Sequence, residues 1–192
     1  MNTWITRLTK HIGASRLVLL TAALLLGTAC VATRAGQSPQ PPQGASAPQP
    51  SVPAADQAPE LVVSTLDGGT YRLSEHRGEP VVLFFTASWC SSCIPEIATL
   101  NKLYEQYQDK GLQVVVVSID PGDRPADFAR FKGIAQGGNY VWGLDTGEKA
   151  AVAFDIKALE TKIVIGRDGQ VVSRHVGREP YESAKQAVES AL

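Results

Sequence analysis

The chain has 192 residues, of which 44% are hydrophobic and 19% charged, with a formal charge of −1 at neutral pH. That fits one globular domain of about 100–150 residues plus a further segment, and bulk charge makes no case for a nucleic-acid partner. Three cysteines exclude a disulfide-stapled scaffold, which needs several pairs in a short chain. Charge is split along the chain. Residues 1–58 carry Arg7, Lys10, Arg16 and Arg34 against Asp56, whereas residues 59–192 carry 14 basic and 18 acidic side chains. The two parts therefore do different jobs.

Arg7, Lys10 and Arg16 precede an uncharged run, Leu17 to Ala29. Thirteen residues is the length of a signal-peptide core, and it falls short of the roughly 20 needed to span a bilayer. Positive charge stays on the side of synthesis, so the remainder is expected to be exported, facing the periplasm or the extracellular side. Gly27, Thr28 and Ala29 lead into Cys30, which resembles a bacterial lipoprotein signal and makes Cys30 the candidate for lipidation. Gly27 stands where such signals usually carry Leu, Val or Ile. Ordinary cleavage near Ala29 or Ala32 and an uncleaved anchor are the alternatives. Residues 31–58 are rich in Pro, Gln, Ala and Ser and lack aromatics. Such a segment cannot bury enough apolar area to offset its ordering entropy, so it reads as a disordered linker.

Residues 59–192 read as one folded domain. Leu61-Val62-Val63 and Thr70 to Leu73 flank Asp67-Gly68-Gly69, a hairpin signal. Ser74 to Gly78 is a turn or short helical stretch. Val81 to Phe85 is a continuous apolar run, the mark of a strand covered on both faces. Glu96 to Lys110 is a predicted helix, with Ile97, Leu100, Leu103, Tyr104 and Tyr107 at spacings of three and four and Gly111 at its end. Leu112 to Ile119 is a second buried strand. Pro125 to Lys132 and Glu148 to Phe154 are predicted helices, and Asn139 to Leu144 a short strand between them. Lys162 to Ile165 and Gln170 to Ser173 flank Arg167-Asp168-Gly169, a second hairpin. Tyr181 to Leu192 is a closing amphipathic helix. Two buried strands joined by a helical crossover imply a parallel pair. The expected fold is therefore α/β, a three-layer α/β/α sandwich on a mixed sheet in thioredoxin order, with an extra N-terminal β-hairpin. Phe128, Phe131, Trp142 and Phe154 read as core.

Cys90-Ser91-Ser92-Cys93 lies between the first buried strand and the first long helix. A cysteine at a helix N-terminus meets unpaired N–H groups and the positive end of the helix dipole, which favour its thiolate. The second cysteine is within disulfide reach one turn on. Cys90 is thus the expected attacking thiolate and Cys93 the resolving one. Trp89 is expected to wall one side of the Cys90 sulfur, and Ser91 and Ser92 to add hydrogen-bond donors without charge. Cys-x-x-Cys also occurs in inert disulfides and in metal sites. A zinc ribbon needs a second Cys or His pair, and His11, His76 and His175 supply none near by in sequence. His76 and His175 read as surface or hairpin residues.

Residues 59–178 resemble the TlpA-like thioredoxin family, whose members are exported, membrane-tethered thiol-disulfide oxidoreductases. The matching residues are Asp67-Gly68-Gly69, Leu73-Ser74, Arg77 to Pro80, Val81 to Phe85, Ala87 to Cys90, Cys93, Glu96 and Arg167 to Val171. The resemblance implies the thioredoxin fold, the two cysteine roles just given, exported protein disulfides or dithiols as partners, and a membrane electron donor. It implies no cofactor beyond the Cys90–Cys93 redox pair. The chain departs from the family at Thr86, where an aromatic is usual, and at Ala98, where a proline is usual. Phe84 stands where thioredoxins often bury an acid. Glu160, just before Thr161, fills the slot of the family's cis-proline. Glu160 and Thr161 are therefore supporting-site candidates. Glu160 either points to solvent at the loop edge or approaches the sulfurs, where it would raise a thiol pKa and relay a proton. Glu96 is a second acid, expected to be capping or solvated at the helix start.

The expected function is thiol-disulfide oxidoreduction through Cys90 and Cys93, in the reductive direction or within a disulfide relay. The alternative is a metal-binding or metallochaperone module using Cys90, Cys93 and Glu160. A peroxidase is disfavoured, because Thr86 lies four residues before Cys90 instead of three.

Overall fold

The computed structural model of the chain describes residues 57–192. The expected signal segment with Cys30, and residues 31–56 of the expected linker, lie outside the described residues. Gln57 forms an antiparallel bridge with Gln170, and the N–H of Ala58 donates to the Gly169 carbonyl at 2.9 Å. These two residues, read as the end of the linker, thus belong to the folded domain.

Seven strands form one sheet: β1 (Val62–Thr65), β2 (Thr70–Arg72), β3 (Val81–Thr86), β4 (Gln113–Ser118), β5 (Val141–Leu144), β6 (Thr161–Ile165) and β7 (Val171–Val176). Their spatial order is β2-β1-β5-β4-β3-β6-β7. The β3–β4 and β4–β5 pairs are parallel, and β6 returns antiparallel to β3, followed by β7. At the other edge β1 pairs antiparallel with both β2 and β5. The helices are α1 (Ile94–Tyr107), α2 (Pro125–Ile134), α3 (Lys149–Ala153) and α4 (Tyr181–Ala191).

Strand alternation explains the apolar runs. Val82 and Phe84 of β3 and Val114 and Val116 of β4 enter the core that α1, α2 and α4 cover. Val81, Leu83 and Phe85, with Val115 and Val117, enter a second core on the opposite face, with Phe154, Tyr71 and Leu61. A strand with both faces buried has no position left for a polar side chain, hence the loss of period two. On α1, Ile97, Leu100, Leu103 and Tyr107 are buried along one stripe. Each such side chain contributes about 1.5–3 kcal/mol through burial. The helix tightens into a 3₁₀ turn at Gln108–Lys110 and stops at Gly111, whose φ of 88° suits glycine. Phe128, Phe131, Trp142 and Phe154 are buried, as expected of core. No helix among the described residues is long and apolar enough to cross a membrane.

Candidate active site

β3 ends at Thr86, and Ala87-Ser88-Trp89 carries the chain to Cys90. Cys90 and Cys93 form a disulfide with their Cα atoms 5.4 Å apart. Ser91–Cys93 is a 3₁₀ turn with Cys90 in its N-cap, and the Cys93 N–H donates to the Cys90 carbonyl at 3.2 Å. Cys93 in turn caps α1, and Pro95 sits in the first turn of α1, where its missing N–H costs no bond. Cys90 is therefore one 3₁₀ turn in front of the α-helix, which begins at Ile94, two residues before the Glu96 start expected from the sequence. Cys93 is fully buried and Cys90 only 4% exposed, so the oxidised pair is tucked in more deeply than expected.

Trp89 is the exposed element, at 67%. Its indole N–H donates to the Asp120 carboxylate, and that bond, with one from the Gly122 N–H, holds the Asp120 carboxyl below its ordinary range. Asp123 does more. Its carboxylate accepts from the Ser88 N–H at 2.7 Å, from the Ser88 hydroxyl and from the Ser118 hydroxyl. The loop after β4 thus clamps the segment that presents Cys90. Sequence reading missed both acids; the cue was the turn-forming Asp120-Pro121-Gly122-Asp123 after a buried strand. Ser91 and Ser92 are exposed, and the Ser92 hydroxyl lies 3.5 Å from the Cys90 sulfur.

Glu160 takes φ of 60° between two trans peptides. Its carbonyl accepts from the Gly177 N–H at 3.1 Å, and the Thr161 hydroxyl donates to the Ala158 carbonyl at 2.7 Å. These bonds brace the loop. A Glu160 carboxylate oxygen and the two cysteine sulfurs all lie within 4.8 Å of one another, and Glu160 is half-buried. Of the two sequence expectations, the geometry selects the approach to the sulfurs over the solvent-facing carboxylate.

Glu96 is corrected more sharply. Expected to be capping or solvated, it is 1% exposed. The Lys162 ammonium donates to Glu96 at 2.8 Å and to Glu179 at 2.9 Å. The Glu179 N–H reaches the other Glu96 oxygen at 3.2 Å. Burial alone would raise the Glu179 carboxyl, but hydrogen bonds from Lys162 and Ser183 hold it below its ordinary range. Lys162 pairs in register with Phe84. The charge is therefore on the strand beside the one that buries an acid in thioredoxins. A lysine inside Thr161 to Ile165, otherwise a buried strand, was the available cue. Of the histidines, His76 stacks on Tyr71 and pairs with Glu79, and His175 lies on β7. Neither joins the cysteines: among the described residues, Cys90, Cys93 and Glu160 are the one cluster of three potential metal donors.

The AhpC/TSA family profile matches residues 54–174. The chain belongs to the AhpC/TSA family. Thiol-disulfide oxidoreductase ResA of Geobacillus thermodenitrificans (strain NG80-2) is 31% identical over 134 residues, 69% of this chain and 75% of that one. ResA of Bacillus thuringiensis (strain Al Hakam) is 28% identical over 141 residues, 73% and 79% of the two chains. A crystal structure described as a thiol:disulfide interchange protein DsbE from Chlorobium tepidum superposes with a TM-score of 0.65 at 29% identity. It covers 71% of this chain and 95% of its own. This AhpC/TSA member is a thioredoxin-like thiol-disulfide oxidoreductase, similar to ResA and DsbE. The Thr86 hydroxyl donates to the neighbouring Ala87 carbonyl at 3.4 Å.

Proposed function

We propose that the protein reduces disulfides of exported proteins, with Cys90 as the attacking and Cys93 as the resolving thiol. The observation that carries this reading is the bonded Cys90–Cys93 pair, with Cys93 sealed under α1 and Cys90 next to exposed Trp89. In the reduced protein the Cys90 thiolate attacks one sulfur of a substrate disulfide. A Cys90–substrate bond forms, the substrate's own S–S bond breaks, and the leaving sulfur takes up a proton. The Cys93 thiolate then attacks the Cys90 sulfur and releases the second substrate thiol. The substrate gains two electrons and two protons, and the pair returns to the disulfide. An upstream membrane dithiol resupplies the electrons. The charged and apolar pattern of residues 7–29 supports export, and Cys30 supports tethering by a lipid, with residues 31–56 as the spacer.

The test is the reduction potential of the Cys90–Cys93 couple, by thiol trapping across a dithiothreitol or glutathione series. A value near or below about −270 mV is expected of a reductant. A value near about −120 mV belongs to an oxidant and overturns the direction proposed.

A further inference from the structure

The geometry points to a second use of the same pocket: in the reduced protein, Cys90, Cys93 and Glu160 form a three-ligand site for a thiophilic divalent cation such as Zn²⁺. The inference rests on the reduction of the pair proposed above and adds a ligand to it. Two sulfurs and a carboxylate oxygen within 4.8 Å of one another are close to what such an ion requires. With Zn–S near 2.3 Å and Zn–O near 2.1 Å, a tetrahedral ion separates its donors by about 3.6–3.8 Å. The carboxylate has at most about an ångström to close, and the sulfurs must part, as reduction of their bond allows.

Three further observations favour a cation here. Among the described residues, no hydrogen bond or ion pair engages the Glu160 carboxylate. The nearest lysine in sequence, Lys162, spends its ammonium on Glu96 and Glu179 and is not paired with Glu160. And Glu160 is held in the left-handed region by a braced loop, so its reach toward the sulfurs is built into the backbone. Reduction turns one neutral disulfide into two thiols. Binding a divalent ion then releases their two protons and neutralises two thiolates beside a carboxylate. Three protein ligands leave one position open for water, or for the Ser92 hydroxyl that lies beside Cys90. The bound ion occupies the lone pairs that Cys90 needs for attack. The site is therefore a redox-gated cap: oxidised protein cannot bind, reduced protein binds, and the metal-loaded form is inactive in thiol exchange.

The experiment uses the full chain with Cys30→Ser, which leaves Cys90 and Cys93 as the remaining thiols. Zn²⁺ alone is titrated against oxidised protein and against protein reduced with a phosphine. One ion per reduced chain, none per oxidised chain, and affinity at least about tenfold weaker in Glu160→Gln are expected, since even outer-shell partners of a metal site cost about 10–100-fold. Equal binding to both redox forms overturns the site. So does a loss smaller than about tenfold in Glu160→Gln, which would leave a plain dithiolate chelate. Circular dichroism checks that the variant is folded. Co²⁺ loaded on the Glu160-containing chain keeps the test open if it is not: intense visible bands of a tetrahedral ion are expected, and the pale spectrum of six-coordinate Co²⁺ overturns the proposal. Disulfide reductase activity measured with a chelator present reports the exchange function separately, so its failure and that of the metal site are distinguishable.

Discussion

Glu160 holds φ of 60°, a conformation that costs a residue with a Cβ about 1–2 kcal/mol. Such outliers persist where the surroundings over-determine them, and they cluster at functional sites. Its carboxylate lies beside two sulfurs, each of which acts as a thiolate in the proposed reaction. Like charges oppose each other, so the carboxylate disfavours the Cys90 thiolate while the helix end favours it. Replacing Glu160 with Gln is expected to shift the pH profile of Cys90 alkylation toward acid and to speed alkylation severalfold at neutral pH. An unchanged profile would remove Glu160 from the thiol chemistry. Asp123 acts at one remove, through the loop that carries Cys90. Asp123→Ala strips a partner from the Ser88 N–H and from two hydroxyls. A loss of about 1–3 kcal/mol is expected for the partly buried donors left unpaired. Urea unfolding of the oxidised protein measures it.

At the scale of elements, β6, α1 and the segment leading into α4 meet through charge inside an apolar layer. Lys162 on β6 joins Glu96 of α1 to Glu179, which precedes α4. Breaking a buried pair from one side leaves an uncompensated charge, at about 3–5 kcal/mol. Lys162→Met is expected to destabilise the domain by that amount. The triple change Glu96→Gln, Lys162→Met and Glu179→Gln removes every charge together and is expected to recover most of the loss, as read from denaturant midpoints. Sequence pattern showed the strand and the helix here but not the bond between them. Periodicity reports which face a residue occupies, and a lysine or glutamate on a core face looks like an error until its partner, 66 residues away in this case, is in view.

For the whole molecule, Glu179 ties stability to pH. Its carboxyl is held below its ordinary value of 4.5 in the folded state. The stability this supplies is fully present above that ordinary value and drains away as pH falls through the lower folded value. The denaturant midpoint is expected to be flat from neutral pH to about pH 5 and to drop below about pH 4, less steeply in the triple variant. A midpoint that stays level into strong acid would separate Glu179 from stability. Layer order, the strand runs, the helix stripes and the Cys90–Cys93 pair were all legible in the chain itself, because each depends on spacing between near neighbours. The side chain that faces the sulfurs, the acids that clamp Ser88 and Trp89, and the buried ion network were decided only by tertiary structure. Each depends on which loops and faces the sheet brings together, across 35 residues for Asp123 and Ser88, and no local periodicity records a contact of that kind.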